Sequence, residues 1–74
     1  MTSKPFNGHK NWNHWNVSLW INNDEGLYRL ARQCIYQKAS RRQAAELFLS
    51  NVGPQTPDGA PYTLSSVRAA MRDL

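Results

Sequence analysis

The sequence predicts an all-α fold, a single small domain of about four short helices. Three observations carry this. Apolar residues recur three and four apart in several segments, as one face of a helix requires. Residues that cap helices stand just ahead of those segments. No two segments alternate apolar and polar residues across a turn, and a tiny hairpin fits only within 54–62.

Size and composition set the frame. The chain has 74 residues and one cysteine, Cys34. That is one domain with a thin core, burying roughly 60% of its unfolded surface. An internal disulfide is impossible, which fits a reducing, cytoplasmic setting. No apolar run approaches the ~20 residues of a membrane span. The start, MTSKPFNGHK, lacks the apolar stretch of a signal peptide. A soluble, cytoplasmic protein is expected. Residues 1–10 are polar, with Pro5 and Gly8, and read as a flexible segment ahead of a helical domain at 11–74.

The first helix is expected from about Asn13 to Ile21. Trp12, Trp15 and Leu19 lie at helical spacing, and Trp20 widens the stripe. In so small a domain the tryptophans are expected in the core, Trp12 least firmly because it precedes the helix. His14 reads as a surface residue at the helix start. Asn22 with Glu25 reads as a cap with a reciprocal partner. It opens a second helix from about Asn23 to Lys38, whose inner face carries Leu27, Leu30 or Ala31, Cys34 and Ile35. Ser40 and Gln43 form the same pattern ahead of a third helix, about Arg41 to Asn51. Its inner residues are Ala44, Ala45, Leu47 and Phe48. Gly53 reads as its left-handed stop, and Pro54 ends it. Thr56-Pro57-Asp58-Gly59 has turn chemistry. Thr63 then caps a last helix with Leu64, Val67, Met71 and Leu74 inside. Tyr62 reads as a plug between the last two helices.

Charge gives the first functional hint. The net charge is +4 and the pI about 9.7. From Tyr28 to Gln43 stand Arg29, Arg32, Lys38, Arg41 and Arg42, with no acid. Such a block attracts polyanions or an acidic protein face; the plain alternative is a solvated surface. Arg41 and Arg42 sit against the positive end of their helix, a small cost that hints at binding or at a nearby acid. Arg68 and Arg72, four apart, share a face of the last helix.

Catalysis is not expected. Seventy-four residues leave little room for a pocket of converging polar groups. His9, His14 and Cys34 have no metal-ligand spacing, so neither metal nor cofactor is implied. Cys34 reads as a small core residue.

Two readings remain. The third and fourth helices are arranged like a helix-turn-helix with a long Pro/Gly loop. In that reading Ser65, Ser66 and Arg68 face base edges, Arg72 lies nearer the backbone, and Lys38, Arg41 and Arg42 meet phosphates. A homodimer would then build a useful DNA site. In the other reading Trp12 is an aromatic anchor on a protein partner. The partner is thus DNA or an acidic or nucleic-acid-binding host protein, without a membrane.

Two resemblances bear on this. The stretch from Gly53 to Met71 resembles the end of the DNA-binding domain of large serine recombinases, G-x-x-T-P-x-G-x-x-W-S-x-x-T-V-x-x-I-L. Gly53, Thr56, Pro57, Gly59, Tyr62, Thr63, Ser66, Val67 and Met71 fall at those positions. Tyr62 stands where that family has tryptophan, and Ser66 where it has threonine. Ala44, Ala45 and Leu47 also sit where that family's preceding scaffold helix carries small and apolar residues, so the likeness covers about 30 residues; it implies a helix–loop–helix shape more than DNA contact. No recombinase catalytic domain is present. The stretch NWNHWNVSLWINNDEGLYRLA resembles N-Y-E-T-W-N-V-A-L-W-I-x-N-D-E-G-L-Y, a pattern of small uncharacterised bacteriophage and mobile-element proteins. Trp15 to Val17, Leu19 to Ile21 and Asn23 to Tyr28 match, while Trp12 and His14 depart. It implies a phage origin and a host-cell setting, but no activity. Many small phage proteins dock on a host enzyme or defence complex and block it, so the rival reading is inhibition of a host system, an anti-defence or anti-CRISPR role.

Overall fold

The computed structural model describes residues 10–72 and Leu74. The flexible segment expected at 1–10 falls almost wholly outside the described residues. Four helices follow one another: α1 (Trp12–Asn23), α2 (Glu25–Gln37), α3 (Arg41–Leu49) and α4 (Leu64–Met71). They close a ring of contacts, α1 on α2, α2 on α3, α3 on α4 and α4 on α1. The domain is all-α. Among the described residues the extended pairing is a single antiparallel bridge, Gln55 with Pro61. No helix among them is long and apolar enough to cross a membrane.

The core is built from small side chains around one ring. Val17 and Ile21 come from α1, and Ala31 and Cys34 from α2. Ala44, Ala45 and Phe48 come from α3, Ala60 from the loop, and Val67, Ala70 and Met71 from α4. Alanines let short helices approach closely, so little volume is needed to fill the centre. Tyr62 meets Phe48 edge to face at 5.9 Å and plugs the gap between α3 and the start of α4.

Caps explain the helix boundaries. Asn11 accepts from the His14 backbone N–H at 3.0 Å, so α1 starts a residue earlier than expected. The Asn22–Glu25 cap is not formed. Asn22 lies inside α1 and donates to the Ser18 carbonyl at 2.8 Å. Asp24 ends α1 and starts α2, accepting from the Leu27 N–H at 2.9 Å. A carboxylate satisfies the free N–H and also complements the helix dipole. Ser40 caps α3 by accepting from Gln43 N–H at 3.1 Å, the first half of the expected reciprocal pair; among the described residues the Gln43 side chain does not return a bond to Ser40. Gly53 is not the left-handed stop. Ser50 and Asn51 side chains donate to the Leu47 carbonyl and close α3 two residues before Asn51. The positive φ falls instead at Gly59, 96°, in the turn after Asp58. Thr63 and Ser66 cap α4 reciprocally.

The tryptophans are not the core. The buried side of α1 carries His14, Val17 and Ile21, with Asn16 buried under the loop. Trp12 and Leu19 are 39% and 38% exposed, and Trp15 is half-buried. Helix α1 is apolar over much of its circumference, so spacing alone does not choose a face. The alanine-rich core takes Val17 and Ile21 as the contribution of α1.

Candidate nucleic-acid interface

Helix α2 turns Ala31 and Cys34 inward, with Leu27, Leu30 and Ile35 flanking them. The opposite side follows from helical geometry. Tyr28, Arg32 and Tyr36 lie four apart, a row with a rise of about 6 Å per step. The Arg32 guanidinium sits 5.9 Å from the centroid of the Tyr28 ring. Tyr36 is 94% exposed, and Lys38, also exposed, follows two residues on. Arg41 and Arg42 then open α3, both exposed.

The charges on this surface are unequally matched. Arg29 pairs with Glu25 at 2.7 Å, and Arg42 with Glu46 at 3.5 Å. Both pairs are exposed, so each is weak, about 0.3–0.5 kcal/mol. The other described acids are Asp24, which caps α2, and Asp58, which accepts from Asn16 and Trp20. Arg32, Lys38, Arg41, Arg68 and Arg72 have no carboxylate at ion-pair distance among the described residues.

Helix α4 is less free than its sequence suggests. Ser66 is fully buried; its hydroxyl accepts from Thr63 N–H and donates to the Thr63 carbonyl. It cannot face a base edge, and that expectation is corrected. Ser65 is exposed but lies 3.1 Å from His14 Nε2. His14, expected on the surface, is buried at the α1–α4 contact. Arg68 and Arg72 remain exposed. Trp12 lies on the outer side of α1 with Leu19, both exposed.

The loop at 54–63 is latched onto α1 by a polar network. Thr56 donates to Asn16 Oδ1 at 2.6 Å, and Asn16 donates to Asp58 Oδ2 at 2.9 Å. The Trp20 indole N–H donates to the same Asp58 oxygen at 2.9 Å. Ala60 N–H donates to the Thr56 hydroxyl. The bonds from Asn16 and then Trp20 hold the Asp58 carboxyl below its ordinary value. Burial pushes the Cys34 thiol up, partly offset by Lys38, so it stays protonated. Among the described residues no group of three or more His, Cys, Asp or Glu could hold a metal ion.

Sequence spacing did not single out Tyr36 or the Asn16–Thr56–Asp58 network. The signal for Tyr36 was present. It lies off the apolar face of α2, in register with Tyr28 and Arg32.

The fold and its surface thus define a small four-helix domain with a basic, tyrosine-bearing outer face. The chain belongs to DUF7249, a family of unknown function, whose pattern matches residues 2–73. No curated protein and no solved structure matches it.

Proposed function

We propose that the protein is a non-catalytic binding domain whose partner is nucleic acid, DNA in the first instance. One observation carries the reading. The described carboxylates are engaged in caps, hydrogen bonds or ion pairs, while Arg32, Lys38, Arg41, Arg68 and Arg72, all exposed, have no acidic partner among the described residues. Cations left over in this way attract phosphates and release counterions on binding. With Ser66 buried and Ser65 beside His14, α4 offers Arg68 and Arg72 for phosphate contact. The contacts hold the backbone and do not read base edges through serines.

The test is a salt series of DNA binding to the full chain. Five neutralised phosphates give a log–log slope of roughly −3.5 on single strands to −4.5 on duplex. Absence of binding at low salt contradicts the proposal.

A second reading has its own observation. Trp12 and Leu19, seven apart, leave an apolar stripe on the outer side of α1. Such a stripe suits a protein partner, and with the phage origin that the N-terminal resemblance implies, a host or defence complex that the protein docks on and inhibits. Trp12→Ser should abolish capture of that partner and leave DNA affinity unchanged. Loss of DNA affinity in that variant would count against assigning the stripe to a protein.

A further inference from the structure

We infer that the outer face of α2, with the start of α3, is a stacking platform for single-stranded nucleic acid. The inference rests on the nucleic-acid reading above and names the form of the partner and the surface that takes it.

A tyrosine 94% exposed on a regular helix contributes almost nothing to the fold. Its ring has no described aromatic neighbour. It stands four residues from Arg32, which itself lies over Tyr28. The row therefore alternates ring, guanidinium and ring. Tyr36 is open to a stacking base, and the exposed Arg32 and Tyr28 extend the planar groups along the row. Arg32, Lys38 and Arg41 supply unmatched positive charge along and beyond the row. Flat faces interleaved with cations are what sequence-tolerant binding of unpaired strands requires: bases stack and phosphates find charge.

A duplex uses this surface poorly. Its bases already stack on each other, so only phosphates remain for the cations. The helix best placed by sequence to enter a major groove, α4, is eight residues long and packed against both α1 and α3. Its Ser66 is consumed by its own cap. The occupant that uses both rings and charge is a single strand.

The test is fluorescence anisotropy of the full chain with a labelled mixed-sequence 20-mer, compared with the same 20-mer as a duplex. Tyr36→Ala and Tyr36→Phe accompany the unaltered protein. The single strand should bind at least about 10-fold tighter than the duplex. Tyr36→Ala should weaken single-strand binding by about 10-fold, within the range for losing one stacked base, and Tyr36→Phe should retain affinity. Duplex binding as tight as the single strand overturns this inference and leaves the nucleic-acid reading standing. So does a Tyr36→Ala variant with unchanged affinity. Binding to neither form overturns both and favours the α1 stripe and a protein partner.

Discussion

The loop at 54–63 and the outer face of α2 carry similar numbers of polar and aromatic side chains and use them in opposite ways. In the loop Thr56, Asp58, Tyr62 and Thr63 are all committed to α1, α3 or the start of α4. On α2 Arg32 and Tyr36 make no contact that holds two elements together. Arg32 lies over Tyr28 of the same helix, and among the described residues no hydrogen bond or ion pair ties it to another element. The difference teaches where to look for function in a small domain. Residue types that suggest chemistry in a sequence are spent on the fold when the core is thin. Binding capacity lies where such residues have been left over.

The comparison can be broken first at its strongest joint. Asn16→Ala removes the acceptor for the buried Thr56 hydroxyl and a donor to Asp58, and should cost about 2–3 kcal/mol. At roughly 4–8 °C per kcal/mol for a domain of this size, thermal unfolding detects it easily. Tyr62→Ala opens a gap beside Phe48 and should cost about 2 kcal/mol in denaturant unfolding. Thr63→Ala loses the α4 cap, about 1 kcal/mol, read as faster amide exchange in α4.

Acid sharpens the comparison. The Asp58 carboxyl is held below its ordinary value of 3.8 by Asn16 and Trp20. Its folded-state value is depressed, so its contribution is complete above that ordinary value. It is lost as the pH falls through the folded value. Unfolding followed from pH 6 down to pH 2 should show a loss that Asp58→Asn removes. An identical profile in that variant would place the acid sensitivity elsewhere.

The smallest effects belong to the other region. Tyr36→Ala and Arg32→Ala should each change stability by less than about 0.5 kcal/mol, as should Arg68→Ala on the exposed side of α4. If Tyr36→Ala destabilised as much as Tyr62→Ala, the two regions would not differ in kind.

Much of the fold was legible because its determinants are local. Ser40 and Thr63 announce α3 and α4 through residues three positions away, and the inner face of α2 follows from spacing. Asn22 misled because the stronger cap, Asp24, stands only two residues on. The buried side of α1 was illegible, since Trp12, Trp15 and Leu19 are as well spaced as His14, Val17 and Ile21. Only the packing of the facing helices decides between them. The latch joins residues about 40 apart in sequence, which no local pattern can announce. The basic block of the candidate interface was legible as composition. That Tyr36 stands clear of every packed element was not, because exposure depends on how α1 and α3 close around α2.

The most direct test of the central claim is a ¹⁵N–¹H chemical-shift titration of the full chain with an unlabelled single-stranded 20-mer. Shifts concentrated between Tyr28 and Arg42, with Thr56 to Thr63 unmoved, are the result this account predicts. Shifts concentrated between Thr56 and Thr63 or along Trp12, Trp15 and Leu19, with Tyr28 to Arg42 unmoved, would contradict it.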